Sequence, residues 1–318
     1  MRDLTKGSIP AHLFSLAAPI MIGMLFQTLY YLIDLYFVAQ LGDAAIAGVS
    51  AAGNVQFLVM ALTQVLGVGS MALIARSTGA RNAADANLVF NQSVLMAALF
   101  GGATLVGGYE LSGAYMRGVG ASAASIAAGI DYLHWFMPGL ALQFALVAMG
   151  SALRGTGITK PTMVLQMLTV ICNAILAPIL IAGWGTGKPM GVAGAGLAST
   201  LSIALGLALM LFYFAREKSF IAFNLQHIRV QLVVWRRILS IGLPPGGEFA
   251  LMFVYMAVIY SIIAHFGAAA QAGFGIGSRV MQAIFLPAMA VAFATAPLAG
   301  QNIGAGDWPR ARRSFYTA

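Results

Sequence analysis

Charge is scarce in this sequence. Only 8% of its 318 residues are Asp, Glu, Lys or Arg, against 60% hydrophobic, and the mean hydropathy is +0.87. A soluble domain of this length needs a far more polar surface, so that class is excluded. Cysteine is nearly absent as well: a lone Cys172 excludes an intrachain disulfide and has no partner for a thiolate metal site. The four histidines, His12, His134, His227 and His265, are scattered without metal-ligand spacing, which argues against catalytic zinc. No H-E-x-x-H or G-x-S-x-G motif marks a membrane hydrolase, and no G-x-x-x-x-G-K-[ST] loop supports ATP-driven work. The expectation from these absences is a protein that is not an enzyme and carries no cofactor.

What the sequence has is long apolar runs. Charge-free stretches recur at about 44–75, 86–109, 132–153, 161–187, 189–215, 249–278 and 280–306. Each exceeds the roughly 20 residues that a helix needs to cross hydrocarbon. A further segment opening at Pro19 makes eight spans, and the fold class is an all-α polytopic membrane protein. The runs lack period-2 alternation and are too long for barrel strands of about ten residues. No cleavable signal peptide is visible, because the first segment is too long and polar-faced for one.

The net charge of +8 reports topology. With a cytoplasmic N-terminus and eight spans, the cytoplasmic side receives Arg2, Lys6, Arg76, Arg81, Arg154, Lys160, Arg216, Lys218, Arg229, Arg236, Arg237, Arg310, Arg312 and Arg313. The opposite side receives only Arg117 and Lys188, and Arg279 lies within a span. The positive-inside rule predicts this bias, which points to a multi-pass protein of the plasma (inner) membrane. Anionic membrane lipids are the partners of that basic surface, and no nucleic acid is implied.

The segment Pro19 to Gly42 carries one acid, Asp34. A carboxylate at a helix centre costs roughly 2.5–3.5 kcal/mol on insertion scales, so a chain that keeps one there generally uses it. Gln27, Tyr30 and Asp34 stand at i, i+3 and i+7 and share one face, with Tyr31 the second choice if the helix phase differs. Pro19 removes a backbone donor and is the candidate hinge. A carboxyl held away from water favours its neutral form, so Asp34 can alternate between a cation-attracting and a neutral state. Burial as a neutral, hydrogen-bonded core residue is the alternative reading.

The chain divides into residues 1–215, a polar stretch at 216–237 and residues 238–318. Shifted by 225 residues, Pro19 falls on Pro244, Gly42 on Gly267, Ala44-Ala45 on Ala269-Ala270, Ala47-Gly48 on Ala272-Gly273 and Gly79-Ala80 on Gly304-Ala305. Six intervening spans return the second copy in the same orientation, a parallel repeat of the kind that transporters use. The polar stretch mixes basic and apolar residues and is expected to lie partly along the inner membrane surface. A loop rich in Gly, Ser and Ala is expected around 112–126. The second copy stops at its third span, which points to a partial chain of a protein with about twelve spans.

At QTLYYLIDLYFVAQLG (27–42), LRGTGITKP (153–161) and IGSRV leading into LAGQNIGAGD (276–307) the chain resembles the multidrug and toxic compound extrusion (MATE) family of cation-coupled exporters. The resemblance covers nearly the whole chain. It implies two six-helix bundles around a cavity, here an N-terminal bundle plus the first two helices of the second. It further implies antiport of small amphiphilic cationic substrates or drugs against H⁺ or Na⁺ by a monomer.

The Pro19–Asp34 spacing is similar to the branch typified by DNA-damage-inducible protein F. There Asp34, with Gln27 and Tyr30, corresponds to the cation or proton site of the N-terminal lobe, and Asp34 is the metal ligand if the ion is Na⁺. That branch also places an Asn on span 5 and an Asp four residues on. Asn173 matches, but the second position is Ala177, which weakens a complete Na⁺ site. The span 6 hydroxyl is Ser199 or Thr200. Glu248, in span 7, is the acid of a second-lobe or substrate site, off register with the family's own. A flippase of the same superfamily, moving a lipid-linked or amphiphilic metabolite, and a nonfunctional truncated fragment are the competing readings.

Overall fold

The computed structural model describes residues 2–119, 122–216, 220–224, 229–264, 266 and 268–318, with side chains described only in part between 253 and 283. His227, His265, Lys218 and Gly267 lie outside the described residues, as does the side chain of Arg279. Apolar runs in hydrocarbon must satisfy their backbone internally, and the chain does so by helices. They are α1 (Ile9–Ala39), α2 (Asp43–Gly79), α3 (Ala83–Val119), α4 (Ala123–Gly155), α5 (Lys160–Ala182), α6 (Val192–Arg216), α7 (Leu232–Ala264), α8 (Ala268–Gly304) and the short α9 (Trp308–Thr317). No strand occurs among the described residues. The eight longer helices are each apolar and long enough to cross a membrane, and the chain is a multi-pass membrane protein. Their number is the one expected, but the run at 249–278 takes in the end of α7 and the start of α8, and the run at 280–306 begins inside α8, which passes through Arg279.

The expected loop at 112–126 is corrected: most of its described residues are helical. Helix α3 continues to Val119, and a Ser122–Ser125 capping box starts α4. Of that stretch Ser112, Met116 and Ser125 are buried, whereas Ala114, Gly118, Ala123 and Ala124 are exposed. Met116 is fully buried, and a Cβ on Gly129 would collide with its thioether end. The run at 161–187 is shorter than expected, because Gly183 takes a left-handed conformation (φ 73°) and ends α5 at Ala182.

Helix α4 packs on α2, α3 and α6 and forms the middle of the first bundle. Pro138 lies inside it, and a proline has no N–H to give the carbonyl four residues back. The Tyr109 hydroxyl donates to that carbonyl, His134 C=O, at 3.0 Å. One residue on, the Thr200 hydroxyl accepts from Gly139 N–H at 3.1 Å and donates to Trp135 C=O at 2.5 Å. Those two groups are the pair that a regular helix would join directly, so a side chain from α6 is inserted into the α4 ladder.

The internal repeat extends to element boundaries. Shifted by 225 residues, Ala39 at the end of α1 falls on Ala264 at the end of α7, both ends of α2 fall on those of α8, and the start of α3 falls on the start of α9. Local geometry repeats too. Arg81 (φ 55°) corresponds to Gly306 (φ 80°), and Asn82 and Asp307 each cap the helix that follows by accepting from the backbone N–H of Asp85 and Arg310, at 3.0 and 2.9 Å. Contact between the copies is reciprocal: a Cβ on Gly79 would strike the Gln301 carbonyl, and one on Gly304 would strike the Arg76 carbonyl. Such exchange of equivalent partners is what a local two-fold relation produces. Around it, Leu13, Leu16 and Ala17 of α1 pack with Ala294 and Leu298 of α8.

The sequence motifs meet where the N-terminal segment crosses this junction. Gln301 accepts from Leu4 N–H at 3.0 Å and donates to Gly155 C=O at 3.2 Å, while Arg2 N–H donates to Thr156 C=O at 2.9 Å. The LRGTG turn and the GQNIGAG turn, 146 residues apart at this bond, are thereby tied through one strap.

The stretch at 216–237 is helical from Leu232 onward, and its described irregular part docks on α3 rather than lying free. The Asn87 and Asn91 amides donate to Phe220 and Ala222 carbonyls at 3.0 and 2.9 Å and accept from Ala222 and Asn224 N–H at 2.7 and 2.9 Å. Gln92 accepts from Gln231 N–H and Trp235 Nε1 and donates to Arg229 C=O.

Candidate functional site

Helix α1 presents Tyr30, Asp34 and Val38, spaced by four, as its buried face toward α5. Asp34 is 8% exposed, and its Oδ1 has no hydrogen-bond partner among the described residues. Tyr30, one turn earlier, is equally buried, and its hydroxyl lies beside that of Ser199 without a bond of good geometry. Across the groove, Asn173 of α5 is fully buried and donates from Nδ2 to the Ser199 hydroxyl of α6 at 3.5 Å, leaving its Oδ1 unpaired. Tyr132 of α4, also buried, stands within electrostatic reach of Asp34 and Tyr30. Buried polar atoms normally find partners, and leaving one unmade costs about 1–3 kcal/mol. Three unpaired oxygens in one apolar bundle are therefore an expense that packing does not explain.

Of the residues expected at this site, Asp34, Tyr30, Asn173 and Ser199 come together. Thr200 does not join them, because its hydroxyl is committed to α4. Gln27 turns away from Asp34 and donates to the Tyr31 hydroxyl at 3.4 Å, which also accepts from Gln56 Nε2 at 2.9 Å. Tyr31 is 41% exposed, so the buried phenol of the pair is Tyr30. Ala177 is fully buried, which leaves Asp34 as the carboxylate of the cluster. Pro19 is buried within a helix that continues through it, and Glu248 is exposed on α7, which packs on α2. Among the described residues no group of three or more His, Cys, Asp or Glu could hold a metal ion.

A cavity of about 140 Å³ adjoins the cluster and shares Tyr30 with it. Its walls carry the amides of Gln27, Gln56, Gln143 and Gln166 and one charged group, the Arg154 guanidinium. Sequence reading missed Tyr132 and this cavity. The signal was present: Gln143, Val147, Gly150 and Arg154 stand at i, i+4, i+7 and i+11 on α4, and Thr162, Gln166 and Thr169 repeat on α5.

A protein-family model described as MatE matches residues 19–179 and 244–318. The FAD transporter of Shewanella oneidensis is 27% identical over 316 residues, covering 98% of this chain and 69% of that protein. The probable multidrug resistance protein YoeA of Bacillus subtilis is 23% identical over 313 residues, covering 97% of this chain and 68% of its own length. Among solved structures, the crystal structure of MATE in the bent conformation matches with a TM-score of 0.92 at 26% identity, over 99% of this chain and 70% of that one. The chain thus spans about two thirds of the length of these relatives.

Proposed function

The chain belongs to the MatE family, a family of transporters and not of enzymes, and from that premise we propose that it exports amphiphilic organic cations or drugs in exchange for H⁺ or Na⁺. The observation that carries this reading is Asp34, a buried carboxyl with an unpaired oxygen, grouped with Tyr30, Asn173 and Ser199. Ionised, Asp34 attracts a cation. Protonated or ion-bound, it does not, and this exclusive occupancy is the differential binding that exchange requires. A single carboxylate with neutral oxygens suits a proton; a hard metal cation usually takes six or more oxygen ligands, and Ala177 supplies none. Pro19, eleven residues before Tyr30 and fifteen before Asp34, is the proposed hinge by which ion binding reshapes α1.

In this reading α1–α6 form the N-terminal lobe, residues 216–237 join the lobes, and α7 and α8 begin the second. The basic end, which carries the N-terminus, faces the cytoplasm across the inner membrane. Asp34→Asn in vesicles tests the proposal: dye efflux driven by an imposed pH or Na⁺ gradient is expected to stop while membrane insertion persists, and full efflux by the variant overturns it.

A second reading, movement of an anion-bearing or lipid-linked amphiphile on the same fold, draws on a separate observation, the arginine in the adjoining cavity. The Shewanella relative named as a FAD transporter is in keeping with it.

A further inference from the structure

Arg154 lies in the last turn of α4, where an arginine ordinarily reaches outward to the membrane surface or caps the final carbonyls. Here it does neither. Its guanidinium folds back along the helix: Nη2 donates to the Ser151 hydroxyl at 2.7 Å, and Nη1 lies 3.6 Å from where a Cβ on Gly150 would stand. The charge is thereby drawn into the cavity. The described residues contain one carboxylate–cation pair, Arg237–Asp85, and it does not involve Arg154. A guanidinium has five N–H donors, and the Ser151 hydroxyl takes one of them.

The rest of the wall supplies neutral donors. Gln143, three turns and about 16 Å of helix rise before Arg154, is too far along α4 to share one head group with it. Gln166 faces the same space from α5. At about 140 Å³ the cavity has room for several waters of roughly 30 Å³ each, and hence for a carboxylate or phosphate head. Arginine is the side chain whose fork matches an oxyanion.

We propose that this cavity is an oxyanion subsite, in which Arg154 with the Gln166 amide holds the carboxylate or phosphate of an amphiphilic ligand. That this ligand is the cargo rests on the exporter reading. The binding itself does not.

The test is equilibrium binding to the purified chain in a nonionic detergent, at fixed ionic strength and without any gradient. The probes are flavin mononucleotide and riboflavin, which share a ring system and differ by one phosphate. The wild type is expected to prefer flavin mononucleotide at least tenfold. R154Q is expected to abolish the preference, R154K to retain part of it and Q166L to reduce it. Gly150→Val, which fills the space beside Nη1, is expected to abolish it as well and provides the answer if R154Q fails to fold. Competition separates the sources of the oxyanion: displacement by inorganic phosphate indicates a soluble ligand, and displacement by phosphatidylglycerol alone indicates a lipid headgroup. Equal binding of the two flavins by the wild type, or an undiminished preference in folded R154Q, overturns the proposal. Since no transport is measured, failure of coupled efflux leaves this result standing, and the reverse holds too.

Discussion

Replacing Gln301 by leucine should loosen the junction at which the two copies of the repeat meet. The side chain is 1% exposed and makes two long-range hydrogen bonds, accepting from Leu4 N–H and donating to Gly155 C=O. Leucine has similar bulk, so the change removes polarity without opening a large void. Each hydrogen bond contributes about 0.5–1.5 kcal/mol net, and a buried donor left without a partner costs about 1–3 kcal/mol. Leu4 is fully buried, so its N–H has no water to turn to. Together these place the loss at about 2–4 kcal/mol, less whatever the added apolar burial returns. Unfolding in mixed micelles, followed by tryptophan fluorescence, reads the change as a lower midpoint. A second readout is local: trypsin should cut after Lys6 faster than in the wild type, because the segment loses the Leu4 bond that ties it to α8 and keeps only its Arg2 bond to the α4–α5 turn. A midpoint within about 0.5 kcal/mol of wild type, with cleavage at Lys6 unchanged, would refute the claim that Gln301 clamps this junction.

Other consequences follow from the same structure. Ser199→Ala should impair coupled efflux because it takes the hydroxyl that Asn173 addresses, whereas Thr200→Val should lower thermal stability by about 1–3 kcal/mol through the unpaired Gly139 N–H and leave ion dependence intact; the reverse pattern would exchange their roles. Gly304→Val and Gly79→Val should each destabilise by about 1–3 kcal/mol or more, since the new side chain meets backbone of the facing helix, and a neutral result in unfolding assays would deny the close approach. Asp85→Asn should change stability by no more than about 1 kcal/mol, because its ion pair with Arg237 is 3.3 Å long and both side chains are partly exposed. Gln92→Leu should cost more, as it frees the Trp235 indole N–H and the Gln231 and Arg229 backbone groups at once.

Much of the architecture was legible because bilayers demand long apolar helices and because the repeat left matching breakers. Gly42 at the α1–α2 turn and Gly79 at the end of α2, with Gly304 225 residues on, marked helix ends from sequence, whereas the charge-free runs at 249–278 and 280–306 put a break at Arg279, inside α8. The stretch at 112–126 misled because Gly and Ser signal turns, whereas α3 runs on to Val119 and α4 begins at Ala123. At the candidate site, the shared face of Tyr30 and Asp34 followed from helical period, but the Gln27 amide instead donates to the Tyr31 hydroxyl one turn on in α1, which Gln56 of α2 also addresses. The choice between Ser199 and Thr200 turned on Pro138, since only the assembled bundle brings Thr200 to the interrupted α4 ladder. Arg154 was read as a topological charge because sequence gives its position and not the direction of its side chain.

Counterflow measures the central claim most directly. Reconstitute the chain in sealed vesicles with a pH-reporting dye inside, hold Na⁺ constant, and add a cationic amphiphile to drive its movement. If Asp34 carries either ion or cargo, wild-type vesicles show a proton flux opposite to the cargo and Asp34→Asn vesicles show none. Proton counterflow of undiminished size in Asp34→Asn vesicles would contradict the account.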